Sequence, residues 1–192
     1  MTYPDPPLSD RVVWLRPWAY TDVDCVEQAS ADSRIPDGTS VPTVYTEDAG
    51  HAWIERQWGR LEAGEGLSLA ITPGEHAPAI GDVVLLHRPQ PGVAGIGYWI
   101  LSPWRRHGLA TRAVGLLARW ALHEATLARV EALVEPDNHA SQRVLERVGF
   151  TREGRLRALL VLRGTRRDAL IYSLLPTDAG ARLSPADQAV GP

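Results

Sequence analysis

The chain has 192 residues, 44% of them hydrophobic, with a formal net charge of −3. This is enough for one well-buried core but short of two large domains, and the acidic balance argues against a nucleic-acid binder, which needs clustered cations. Cys25 is the only cysteine and all 20 basic residues are arginine: no disulfide, cysteine-based metal site, lysine Schiff base or Walker-type phosphate lysine is available, and no metal is expected.

Met1 to Pro7 lacks the basic and apolar regions of a signal peptide, and no apolar run approaches the roughly 20 residues that span a bilayer. A soluble protein of a reducing cytoplasm is expected. Arg11–Arg16 alternates as a first strand, ended by Pro17. Thr21 and Asp22 offer an N-cap for a helix to about Ala31. Asp32–Tyr45, with Pro36, Gly38 and Pro42, reads as a loop, and its length makes it a lid on the acceptor side. Thr46, followed by Glu47 and Asp48, starts a second helix, which Gly64 to Gly66 stops.

Leu67–Ile71 and Ala79–Leu86 flank a turn with Pro73 and Gly74 and predict a hairpin; Ala94–Leu101 follows as a third strand. From Ala110 the period changes to helical, with Val114, Leu117, Ala118, Ala121 and Leu122 on one face through about Ala125. Arg129–Glu135 reads as a strand and Asn138–Arg147 as a short helix closed by Gly149. Phe150–Arg155, Ala158–Arg163 and Arg167–Leu174 complete the strands, with a turn at Gly164. The order predicts an α+β fold: one curved, mixed but mostly antiparallel sheet of about seven strands, helices on both faces, with Ala94–Leu101 and Arg129–Glu135 parallel. Residues 1–175 form the domain, and 176–192, rich in Pro, Ala and Asp, a flexible tail.

Two segments carry chemistry. At Ile100–Thr111 a strand ends, a loop holds Arg105, Arg106, His107 and Gly108, and a helix begins at Leu109, Ala110 and Thr111. Unpaired N–H groups and the helix dipole favour an anion there, and Gly108 lets the backbone approach it. A pyrophosphate fits; a tight turn with two solvated arginines is the alternative. Downstream, Asn138 and Ser141 are three apart at a helix start, so both can face one ligand, although Asn138 or Asp137 also serves as a cap.

Together these segments resemble the GCN5-related N-acetyltransferase (GNAT) superfamily, in the branch of the ribosomal-protein alanine acetyltransferases (RimJ/RimL-like), over about Leu8 to Leu175. The resemblance rests on Gly97-Tyr98-Trp99-Ile100, on Arg105, Gly108 and Ala110 in the pattern Gln/Arg-x-x-Gly-x-Gly/Ala, and on Asn138-x-x-Ser141 before a helix ending in Gly149-Phe150. It implies acetyl-coenzyme A as cosubstrate, its diphosphate on the amides of Arg105 to Thr111 and its pantetheine arm between the two splayed parallel strands. The arm would pair with Tyr98, Trp99, Ile100 and Leu101 like an added strand.

The implied reaction moves an acetyl group onto a primary amine. It needs a neutral amine, donors for the oxyanion and a proton for the leaving thiolate. The resemblance assigns the oxyanion donor to a backbone N–H of Tyr98–Leu101, the sulfur's hydroxyl to Ser141 and cofactor orientation to Asn138. The base stays open at this point; Glu135, at the strand end beside the implied thioester, is the candidate. Glu131 shares its face by strand alternation, and each carboxylate also reads as a solvated or capping group. His107 and His139 lie near the site in sequence, and Trp99 and Trp104 beside the cofactor segment. The nearest resemblance points to a protein or peptide α-amine as acceptor. A small amine such as an antibiotic, polyamine or amino acid derivative, and a non-catalytic acyl-CoA sensor, stay open at this point, as does the choice between monomer and homodimer.

Overall fold

The computed structural model describes residues 1–162 and 164–179. The apolar runs pair into one sheet of β1 (Leu8–Ser9), β2 (Trp14–Arg16), β3 (Gly66–Thr72), β4 (Gly81–His87), β5 (Val93–Ile100), β6 (Arg129–Val134), β7 (Thr151–Leu162) and β8 (Thr165–Leu174), in spatial order 1-2-3-4-5-6-8-7. The helices are α1 (Val23–Ser30), α2 (Ile35–Gly38), α3 (Glu47–Glu62), α4 (Leu109–His123), α5 (His139–Val148) and α6 (Pro176–Ala179). Every neighbouring strand pair is antiparallel except β5 with β6. None of the described helices is long and apolar enough to cross a membrane.

Strand residues alternate sides, so the near-continuous apolar runs mark a sheet covered on both faces. Leu67, Leu69, Ile71, Val83 and Leu85 face one core with Ala113, Val114, Leu117 and Ala121 of α4. Ala70, Trp99 and Leu101 belong to the other, with Val26 of α1 and Trp53 and Ile54 of α3. Trp18, Trp53 and Trp99 form an aromatic cluster there, with centroids 4.8 Å (Trp18–Trp53) and 6.2 Å (each to Trp99) apart. Leu117 has no exposed surface, and its truncation to Ala would cost about 2–5 kcal/mol.

Several boundaries differ from the sequence reading, each for a local reason. The strand expected at Arg11 begins at Trp14, because Asp10 Oδ1 accepts from the amides of Val12 (3.1 Å) and Val13 (2.9 Å) and holds Arg11 at φ 69°. This turn joins β2 to the unforeseen β1. Asp22 does not cap α1: its buried carboxylate takes both Arg16 Nη atoms (2.7 and 2.8 Å) and the amides of Ala19 and Ala79. It ties β2 to the β3–β4 hairpin instead. Thr46 does cap α3, accepting from the Ala49 amide at 3.1 Å.

Within the expected loop Asp32–Tyr45, Asp32 Oδ1 accepts from Arg34 and Ile35 N–H and starts the short α2. Phe150–Arg155 and Ala158–Arg163 are not separate strands. A register shift between Leu156 and Leu160, with Ala158 at φ 52°, carries β7 through without a break. Pro176–Ala179 forms a helical turn where the tail was expected to begin; the rest of that tail, 180–192, lies outside the described residues.

Candidate active site

The parallel pair β5–β6 is hydrogen-bonded at three registers only, Val93↔Arg129, Ala94↔Val130 and Gly95↔Glu131. Beyond them β5 continues to Ile100, paired with β4 alone, and β6 continues to Val134, paired with β8. The strands have therefore parted, and the β6-facing edge of β5 from Ile96 onward is open for an extended ligand. This is the stretch that holds Tyr98, Trp99 and Ile100, with Leu101 just after it.

At the end of β5 the chain turns through Ser102–Trp104 into the Arg105–Gly108 loop. Arg106 (φ 69°) and Gly108 (φ 76°) are both left-handed, a conformation glycine adopts at no steric cost. Gly108 is the N-cap of α4 and supplies no side chain to its first amides. A Cβ built on Gly108 meets nothing within 4 Å, so the approach to the amides of Leu109, Ala110 and Thr111 is clear. A 15-residue helix whose N-terminal donors point outward beside a bare backbone suits a diphosphate.

The arginine that opens this loop is engaged elsewhere. Arg105 Nε donates to the Ile100 carbonyl (2.9 Å) and Nη2 to Asp32 Oδ2 (2.7 Å). Burial pushes the Asp32 carboxyl up; the Arg34 amide, the Arg105 charge and the Ile35 amide outweigh it and hold it below its ordinary value. Arg105 thus joins the cofactor loop to the start of the 32–45 segment. The expectation of an added cationic donor falls on Arg106, which is exposed. The exposed side chain of His107 lines an open cleft of about 480 Å³ with Val12, Pro73 and Trp104.

Across the opened strands, α5 brings the second motif. Asn138 caps it, its Oδ1 accepting from the Ser141 amide at 3.1 Å, so the capping role is present. Ser141 Oγ lies 2.7 Å from the phenol oxygen of Tyr98, which also donates to the Ser141 carbonyl at 3.2 Å. The Tyr98 side chain, not singled out from sequence, thus bridges β5 and α5. Strand parity held the signal: Tyr98 shares the face of Ile96 and Ile100, both in the core shared with α4. Burial pushes its phenol up to about 12, against the lowering effect of Ser141; at neutral pH it carries its proton.

The two carboxylates on and just after β6 differ in their partners. Glu131 is bound by Arg129 Nε (2.8 Å) and approached by Arg88 Nε (3.9 Å). Arg129 also grips Glu153, whose carboxyl this contact, followed by Ser173, lowers to about 2. Arg88 lies over Gly95 so closely that a Cβ there would come within 2.2 Å of its Nη2. This ion network engages the Glu131 carboxylate at the base of the splay. Glu135 follows the end of β6 with a half-buried carboxylate that makes no hydrogen bond or ion pair among the described residues. His139 is exposed, Trp99 packs into the aromatic cluster, and Trp104 lines the His107 cleft.

A buried carboxylate was also missed. Asp82 pairs in register with Trp99, and its Oδ1 accepts from Ser68 Oγ (2.6 Å) and Trp18 Nε1 (3.1 Å). Burial pushes it up to about 6.

The acetyltransferase (GNAT) domain description matches residues 13–151 of the chain. The Bacillus subtilis protein carried under the name "Probable N-acetyltransferase YjcK" is 30% identical over 179 residues, covering 89% of this chain and 98% of its own. Mycobacterium smegmatis RimJ, solved with CoA-disulfide, superposes with a TM-score of 0.78 at 26% identity, covering 94% of this chain and 93% of that one. RimL, a ribosomal L7/L12 α-N-protein acetyltransferase solved with coenzyme A, shares the fold at TM-score 0.76 and 20% identity, over 88% of this chain and 96% of that one. A splayed parallel pair, a bare helix N-terminus at its mouth and this match over most of the chain agree: the chain belongs to the GNAT family of N-acetyltransferases, which take their acetyl group from acetyl-CoA.

Proposed function

We propose that this enzyme acetylates the α-amine at the N-terminus of a protein or peptide. Acetyl-CoA supplies a thioester carbonyl open to attack by a neutral amine. The first amides of α4 and the bare Gly108 backbone would receive its diphosphate, and the unpaired β5 edge from Ile96 to Ile100 its pantetheine arm and the carbonyl oxygen. The observation that carries the reading is a carboxylate uncommitted among the described residues, Glu135, just before the turn into α5, and the Ser141–Tyr98 hydroxyl pair in the first turn of that helix.

The proton inventory follows from these groups. Glu135, directly or through one water, takes the amine proton; an α-amine with pKa about 8 yields it far more readily than a lysine at about 10.4. When the single Tyr98 hydroxyl hydrogen turns from the Ser141 carbonyl to Ser141 Oγ, the Ser141 hydroxyl hydrogen is free to serve the departing sulfur. The C–N bond forms, the C–S bond breaks, and Ser141 supports the thiolate until it is protonated. RimL, which acts on the α-amine of a ribosomal protein and shares the fold, supports the choice of acceptor.

The test is an acceptor screen with acetyl-CoA, read by product mass. Peptides with free N-termini should gain one acetyl group at the α-amine. Turnover confined to polyamines or aminoglycosides would overturn the proposal.

A further inference from the structure

We infer that the acceptor site contains a carboxylate-binding subsite on the β7–β8 hairpin, so that preferred acceptors carry an acidic side chain within the first residues after the amine. This rests on the peptide reading above and deepens it.

Between 152 and 168 the sequence places six arginines against two acids, although the chain is net −3. The fold sets this stretch apart. β6 supports β8 only from Leu170 onward, through Val134↔Leu170. The hairpin residues before Leu170 pair only with each other and leave the sheet as a two-stranded arm. Leu156, Leu159 and Val161 on it are 38%, 42% and 58% exposed.

A cavity of about 320 Å³ lies between this arm and the turn that begins α5. One wall is Glu135 and Asp137; the other is Arg155, Arg166, Arg167 and Asp168. Arg155 is neutralised by Asp168 (Nε–Oδ2 2.7 Å), whose Oδ1 accepts from the Ala158 amide at 2.8 Å. Arg166 donates one N–H to the Ala158 carbonyl at 3.3 Å and has no carboxylate partner, and Arg167 has neither hydrogen bond nor ion pair, among the described residues.

Glu135 and these two arginines therefore face one cavity without pairing across it. Opposite charges within about 4 Å would have closed into a salt bridge. Their separation leaves room for a guest that is cationic at the Glu135 end and anionic at the arginine end, and guanidinium groups suit a carboxylate through bidentate bonds. A peptide α-ammonium followed by Asp or Glu has that charge order. A second copy of the chain does not fit: a twofold contact would set this cationic arm against itself.

The test uses acetyl-CoA and amidated peptides identical but for Glu, Gln or Lys at the second position, with free glutamate as a further arm. One charge-assisted contact predicts a kcat/KM for the Glu peptide about tenfold above the Gln peptide, with Lys lowest, and the gap should narrow as salt is raised. The double variant Arg166→Gln, Arg167→Gln should bring the Glu-to-Gln ratio below about threefold, while CoA titration calorimetry shows that it is folded. Equal rates for all three peptides would sink the subsite and leave α-amine acetylation standing. Turnover of free glutamate alone would replace the peptide by an amino acid and overturn both, and acetylation of none of these would remove the acceptor reading itself.

Discussion

Arg105 sits at the first position of the loop pattern that the family uses for pyrophosphate, yet its guanidinium points to Asp32 and the Ile100 carbonyl. The structure thus casts it as a positioning residue, and Asp32, 73 residues earlier in the chain, is the lever that separates the two roles. The ion pair is 2.7 Å long, with side chains 37% and 9% exposed. It falls between an exposed salt bridge, about 0.2–1 kcal/mol, and a charge-assisted hydrogen bond of about 1.5–3 kcal/mol; about 1.5 kcal/mol is a fair figure, roughly a tenfold effect on an equilibrium.

If that energy holds the loop in its binding form, breaking the pair costs CoA affinity no more than the pair is worth. Asp32→Asn keeps Oδ1 for the Arg34 and Ile35 amides and removes only the charge. Arg105→Gln and Asp32→Asn should each weaken CoA binding by up to about tenfold, and the double variant no further than either one. Titration calorimetry with CoA measures all three. A large loss for Arg105→Gln beside full affinity for Asp32→Asn would mean that the arginine contacts phosphate directly, and the positioning argument would be wrong. The charge also has a pH signature. Because the Asp32 carboxyl is held below its ordinary 3.8, its contribution to stability is complete above that value and fades as pH falls below it.

Three further outcomes follow from the site and the core. Ser141→Ala should lower kcat by about 10²-fold as loss of a positioned acid, and Tyr98→Phe by a smaller factor, with CoA affinity retained in both; stopped-flow thiol release measures this. Gly108→Ala places a Cβ at φ 76° and narrows the approach to the α4 amides, so CoA affinity should fall about tenfold, while the urea midpoint should drop by no more than a stability loss of about 1 kcal/mol. Asp82 works in the opposite sense to Asp32: its folded value of about 6 lies above 3.8, so it favours the fold at low pH and loses that contribution, roughly 3 kcal/mol, as pH rises from about 4 to 6. Asp82→Asn keeps an Oδ1 acceptor for Ser68 and Trp18 and should flatten that part of the stability-against-pH curve; an unchanged curve would show that the carboxyl is not held neutral.

What could be read from the chain alone is what backbone geometry controls. Gly108 before an amphipathic run marks a bare helix N-terminus, Thr46 before Glu47 and Asp48 marks a cap, and Gly149 at φ 112° closes α5 where the pattern stopped. In each case a local residue type dictates a local dihedral or donor, and nothing distant needs to be known. The misreadings fall where a side chain chooses among partners far along the chain. Asp22 looked like a cap for the helix that follows it and instead joins Arg16 and Ala79. Glu131 and Glu135 are indistinguishable by alternation, and only the arrival of Arg88 and Arg129 at one of them decides which remains without a partner among the described residues. The site therefore divides along the same line. The part proposed to take a diphosphate is made of main chain and is written in the motif, whereas the part proposed to move protons, Ser141 with Tyr98 and Glu135 with no partner among the described residues, is made of side chains whose state depends on contacts between α5, β5 and β6 that exist only once the sheet has parted.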